Sequence, residues 1–148
     1  MTTPPDVSGY ELRLDRSYDP DTHLWVRQTA GGRVRVGLDA LTADTYGALA
    51  QLEIAPIGTL IGRGETFGSL EAAKFVGPLM SPVSGLIADV NESVLADPDL
   101  VLREPYDGGW LLEFAETTLA PGLLTGDEAA TWFAGEVAGY REKGLLAE

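Results

Sequence analysis

Lysine is scarce in this chain, and that scarcity narrows the chemistry available to it. Of the ten basic residues eight are arginine, leaving only Lys74 and Lys143. A lysine amine, once deprotonated, can be acylated or condense to an imine, whereas a guanidinium stays protonated. Lys74 stands in the window Gly68-Ser69-Leu70-Glu71-Ala72-Ala73-Lys74-Phe75-Val76-Gly77-Pro78-Leu79-Met80-Ser81-Pro82-Val83-Ser84-Gly85. It lies between two apolar stretches, with small residues ahead of it. A turn at this point would push the amine outward, and Ala72 and Ala73 would leave its approach sterically open. The ordinary reading is a surface lysine. The chemical reading is an acceptor presented to a modifying enzyme.

Other chemistries find little support. The absence of cysteine excludes disulfides, thiolate-bound zinc, iron–sulfur clusters and a cysteine nucleophile. A single histidine, His23, excludes a multi-histidine metal site. His23 reads either as a proton shuttle or as a strand-start residue beside Trp25 whose ring packs or bonds to backbone. Asp19-Pro20-Asp21 and Asp97-Pro98-Asp99 lack calcium-loop spacing and read as turns. Gly62-Arg63-Gly64 followed by Gly68 lacks the spacing of a dinucleotide fingerprint, and there is no Gly-x-Ser-x-Gly elbow. No catalytic residue and no metal ligand is therefore assigned.

The charge balance excludes some partners. There are 23 acidic residues against 10 basic ones, a net charge of −13. That sign argues against a nucleic-acid surface and against an anionic membrane. No apolar run is long enough to span a bilayer, and Met1 to Asp6 resembles no secretory signal, so a cytoplasmic address is expected. A length of 148 residues, 45% of them hydrophobic and 22% charged, suits one globular domain with its own core.

The elements that must position Lys74 are mostly short strands. Residues 1–9 read as a loose tail. Tyr10, Leu12 and Leu14 alternate with Glu11, Arg13 and Asp15, which predicts a half-buried strand. His23 to Gln28 and Arg33 to Gly37 form a hairpin around Ala30-Gly31-Gly32. A short helix runs from Asp39, an N-cap candidate, to Leu49, and Gln51 to Ile57 returns to strand. Leu70 to Lys74 and Phe75 to Met80 meet at a turn, and Pro82-Val83-Ser84-Gly85 is a second one. Leu86, Ala88 and Val90 share one face of a further strand. Asn91 to Asp97 is a brief helix stopped by Pro98, Pro105 to Gly109 a loop, and Trp110 to Phe114 a strand. At the C-terminal end Thr125 and Glu128 have capping-box spacing. Ala129, Phe133, Val137 and Tyr140, with Trp132 beside them, then make an apolar helical stripe. That helix either docks on the sheet core or binds a partner. The sum is a mostly antiparallel β sandwich or barrel with helical additions.

The window around Lys74 resembles the lipoylation site of the glycine cleavage H protein family. Gly68, Leu70, Glu71 and Lys74 match that motif, with Ala72 where the family usually has Ser, and Pro82, Ser84 and Gly85 follow at the family spacing. A second block, Asn91, Leu95, Pro98, Leu100, Pro105, Tyr106, Gly109 and Trp110, is similar as well. So is a first block of Tyr18, His23, Trp25 and Val36-Gly37. Matching spacing in separate blocks is a specific signal, unlike a lone short motif.

The resemblance implies a barrel-sandwich hybrid like that of lipoyl domains, over residues 10–120, with a C-terminal helical segment over 121–148. It implies lipoate in amide linkage to Lys74, with Glu71, Ala72 and Ala73 as the presenting turn, on a carrier that is not itself an enzyme. The implied partners are a lipoate ligase or lipoyl transferase, the glycine cleavage enzymes, and dihydrolipoamide dehydrogenase. Biotin carriers resemble the same fold but flank their lysine with methionine, where this chain has Ala73 and Phe75. His23-Leu24-Trp25, Tyr46-Gly47-Ala48, and the run after Pro121 depart from the family pattern. H-like lipoate-binding proteins of heterodisulfide-reductase-like sulfur oxidation also resemble this chain, notably over Tyr18 to His23 and Phe75 to Leu79. An aminomethyl carrier and a sulfur carrier are both open at this point. So is an unmodified scaffold that kept the fold and lost the cofactor.

Overall fold

A computed structural model describes residues 6–119 and 121–146. Within the expected N-terminal tail, β1 (Asp6–Val7) pairs with β2 (Tyr10–Glu11), while residues 1–5 lie outside the described part. The strand expected over Tyr10 to Asp15 stops after Glu11: Leu12 is fully buried, but Leu14 turns outward into solvent. Chain reversal toward β3 (Ser17–Tyr18) breaks the alternation there.

The hairpin expected around the glycine pair forms as β4 (Leu24–Gln28) and β5 (Val34–Leu38). Helix α1 (Ala40–Tyr46) follows, its first turn capped by Asp39, which accepts the Thr42 amide at 2.8 Å. It ends at Gly47, one turn short of the expected end, so that β6 (Leu49–Ile54) starts earlier and stops before Pro56. After β7 (Leu60–Ile61) come β8 (Thr66–Ala72), β9 (Val76–Met80) and β10 (Ser84–Val90). Two register shifts along β10 overturn its expected facing. Ile87 lies wholly in the core, and Leu86 and Ala88 are half-exposed. A bulge adds one residue and so switches which alternate side chains face inward.

Asn91 caps α2 (Glu92–Ala96) through the Ser93 amide at 3.1 Å. Its side-chain amide donates to the carbonyls of Gly108 and Trp110, at 2.8 and 2.7 Å. A second short helix, α3 (Leu100–Arg103), follows Pro98 where no element was expected. Strand β11 (Leu112–Thr118) starts after Trp110 and runs past Phe114. Helix α4 (Gly126–Glu142) closes the chain. The expected capping box does not form, because the Thr125 side chain makes no cap bond.

The strands build a six-stranded sheet, ordered β3-β4-β5-β11-β10-β7, and a three-stranded sheet, ordered β6-β8-β9. Leu24, Val36, Ile87 and Phe114 from the first pack with Leu52, Phe67, Leu70 and Leu79 from the second into one apolar core. A second cluster lies under α4, where Ala129, Phe133 and Val137 cover Leu12, Tyr18, Trp25, Leu41 and Tyr106. The apolar stripe of α4 therefore docks on its own domain. No helix among the described residues is long and apolar enough to cross a membrane.

Candidate functional site: a braced lysine hairpin

Strands β8 and β9 pair in register from Gly68↔Leu79 through Glu71↔Val76. The Ala72 amide donates to the Phe75 carbonyl at 2.7 Å, so the tip of this hairpin is Ala73–Lys74. Two-residue tips usually need positive φ to match strand twist, and neither residue has it. The support comes from outside the hairpin. The Ala73 amide donates to the Ala48 carbonyl and the Lys74 amide to the Tyr46 carbonyl, both at 2.9 Å. The strap from α1 to β6 thus takes up both tip donors. Gly47, at φ 76°, lets that strap pass close: a Cβ there would lie 3.3 Å from the Ala73 Cβ. The rings of Tyr46 and Phe75 stack over the same junction.

With its backbone held, the Lys74 side chain stands exposed. Glu71 is exposed as well, at the end of β8, while Ala72 turns into the core. Of the expected presenting residues, Ala73 alone sits at the tip with the lysine; Glu71 and Ala72 belong to the strand. Gly68 lies further down β8, where a Cβ would come 2.2 Å from the Glu53 carbonyl oxygen. Only glycine permits this pairing of β6 with β8. On the outward side Gln51, Glu53, Ser69, Glu71 and Val76 line a shallow groove of about 220 Å³. Its two carboxylates make the approach to the hairpin acidic.

His23 lies elsewhere in the structure, behind the strap, and is buried. Its Nδ1 is 2.8 Å from Asp39 Oδ2 and its Nε2 2.8 Å from Glu136 Oε1. The rings of Trp132 and Tyr140 flank it at 4.8 and 5.8 Å. Burial by itself lowers its pKa, but the two carboxylates outweigh this, and the net shift is above the ordinary 6.5. Thr22, His23, Thr42, Thr45, Tyr46 and Tyr140 line a cavity of about 160 Å³ with Asp21. The buried Thr42 hydroxyl has no hydrogen-bond partner. Burial raises the Tyr46 phenol to about 12. Neither Glu136 nor the Tyr46–Ala48 brace was legible as a site feature. The one available signal was that Tyr46-Gly47-Ala48 departs from the family pattern. Among the described residues no cluster of three His, Cys, Asp or Glu could hold a metal.

Fold and site together define a small β domain that presents one braced lysine at a hairpin tip. Comparison with known proteins is specific. Residues 16–133 match the family model described as glycine cleavage H-protein. The glycine cleavage system H protein of Corynebacterium aurimucosum is 38% identical over 124 residues, covering 81% of this chain and 94% of the relative. That of Streptomyces coelicolor is 40% identical over 113 residues, covering 76% and 90%. The crystal structure of a glycine cleavage system H protein from Mycobacterium marinum superposes with a TM-score of 0.75 at 32% identity, covering 86% of this chain and 99% of the other. The chain belongs to the glycine cleavage H-protein family, and its fold is the barrel-sandwich hybrid with a C-terminal helix.

Proposed function

We propose that this protein carries lipoate in amide linkage on the Lys74 Nζ and moves a group between the enzymes of the glycine cleavage system. The observation that carries this reading is the exposed Lys74 side chain on a main chain whose own donors are taken up by Tyr46 and Ala48. A primary amine so placed fits a group attached through its carboxyl with loss of water. When attached, lipoate supplies a disulfide–dithiol couple at the end of a long flexible stem. The chain's own part is to fix the root of that stem, and tethering raises the local concentration of whatever it bears. No catalytic group is required of the protein.

Between the two cargoes left open by the sequence, the names of the relatives favour the aminomethyl group of glycine cleavage over sulfur. The net charge of −13 and the carboxylates of Glu53 and Glu71 beside the hairpin suit basic faces on a lipoate ligase or lipoyl transferase and on the cleavage enzymes. Dihydrolipoamide dehydrogenase would reoxidise the dithiol.

Intact-mass measurement after incubation with lipoate and a ligase tests the attachment. A gain of one lipoyl group is expected in the wild type and in Lys143→Arg, and none in Lys74→Arg. No gain in the wild type would instead support an unmodified scaffold, and a gain kept in Lys74→Arg would displace the site. Reductive aminomethylation by a competent glycine decarboxylase separates the cargoes. Failure of a fully lipoylated protein to accept the group would turn the reading toward sulfur transfer.

A further inference from the structure

His23 takes no part in presenting Lys74, yet its surroundings are built in detail. Its backbone sits at φ 64°, a region sparsely populated by non-glycine residues, which aims the ring between two carboxylates. Both ring nitrogens lie 2.8 Å from a carboxylate oxygen, Asp39 on one side and Glu136 on the other. A neutral imidazole has a single N–H, so one of these contacts would set a nitrogen lone pair against a carboxylate oxygen. An imidazolium donates to both. Asp39 cannot turn away: its side chain is fully buried and its other oxygen holds the Thr42 amide at 2.8 Å. Glu136 can, because its side chain is 34% exposed on α4.

Among the described residues, the remaining ionisable neighbours add no competing cation. Trp132 and Tyr140 face the ring from α4, Tyr46 from α1, and Asp21 from the turn before β4. Two carboxylates, Asp39 and Glu136, therefore meet on this one ring.

We propose that His23 is a protonation-operated latch: as the imidazolium it ties α4, through Glu136, to the N-terminus of α1, through Asp39, and loss of its proton to solvent loosens the helix, which Ala129, Phe133 and Val137 keep docked. Tyr140 of α4 and Tyr46 of the strap line the same cavity, so loosening opens the wall behind the residue whose carbonyl holds the Lys74 amide. The latch stands apart from the identity of any group on Lys74.

The direction of the pH effect follows from linkage. The folded pKa is raised above the ordinary 6.5. The stabilisation is whole below that pH and fades as pH rises through the folded value. With one linked proton, the loss is at most about tenfold per pH unit.

The single histidine makes the measurement unambiguous. The ring protons of the full, unmodified chain are followed by NMR from about pH 5.5 to about pH 9, with amide protection factors of α4 and β11 alongside. In the wild type the ring is expected to titrate above 6.5, with α4 protection falling over the same range while β11 keeps its own. In Glu136→Gln the ring is expected to titrate lower, with α4 already loosened at the acid end and flat with pH. The proposal is overturned by a ring that titrates at or below 6.5 in the wild type or never titrates while the protein stays folded. It is equally overturned if α4 protection has the same pH dependence in Glu136→Gln.

Discussion

Tyr46 and Phe75 lie ring on ring, with centroids 4.1 Å apart and planes 7° from parallel. They flank Lys74 from two directions. Phe75 follows it in the hairpin, and the Tyr46 carbonyl receives its amide. The stack therefore couples the end of α1 to the tip of β8–β9, and tip geometry depends on a residue far from it in sequence. Aromatic pairs of this kind contribute about 0.5–1.5 kcal/mol beyond the area they bury. Tyr46→Ala should lower stability by about 1–3 kcal/mol in urea unfolding. It should also speed exchange of the Ala73 and Lys74 amides. Unchanged exchange at the tip, with stability reduced, would show that the stack supports the core but not the lysine.

Two glycine positions should respond with opposite sign. At Gly68 an added methyl would meet the Glu53 carbonyl oxygen at 2.2 Å. Because that oxygen is backbone, β6 and β8 must part, and Gly68→Ala should cost about 2 kcal/mol or more. At Gly135, in the exposed part of α4, nothing lies within 4 Å of such a methyl. Gly135→Ala should stabilise by about 0.5–1 kcal/mol, by restricting the unfolded chain and favouring helix. Paired urea midpoints check both signs.

Acid should weaken one surface link in a defined direction. Arg13 reaches Asp107 with its two terminal guanidinium nitrogens, Nη1 and Nη2, at 3.1 and 2.9 Å. The Arg13 hydrogen bonds hold the Asp107 carboxyl below its ordinary 3.8. That contribution is complete above pH 3.8 and lost as pH falls through the lower, folded value. Since the Asp107 side chain is 56% exposed, solvent screening limits it. Asp107→Asn should cost no more than about 1 kcal/mol near neutrality, and the gap from wild type should close in acid. A gap that widens in acid would contradict this pairing.

The acidic groove beside the lysine should matter to encounter and not to folding. Glu53 and Glu71 are exposed, so replacing both with Gln should move stability by no more than about 0.5 kcal/mol. The proposed lipoylation of Lys74 should nevertheless slow, and the remaining rate should depend less on salt, since long-range steering is screened over about 8 Å at physiological ionic strength. Equal rates and equal salt dependence in wild type and variant would remove the groove from recognition.

Much of this protein is written locally in its sequence. Alternation and turn residues locate β4–β5, because a strand's side chains alternate faces whatever it later pairs with. Lys74 at a hairpin tip is implied by the resemblance of its window to the family motif, and the stripe Ala129, Phe133, Val137 marks the face that α4 buries. Tertiary structure decided the rest. The bulges of β10, and with them the burial of Ile87 in place of Leu86, arise from fitting β10 against β11. The brace of Lys74 by Tyr46 and Ala48 arises where two connections meet. The pairing of His23 with Glu136 spans 113 residues. Periodicity reports only which side of an element faces the core. Which residue stands opposite another depends on register and docking, and those are settled only when the whole chain packs.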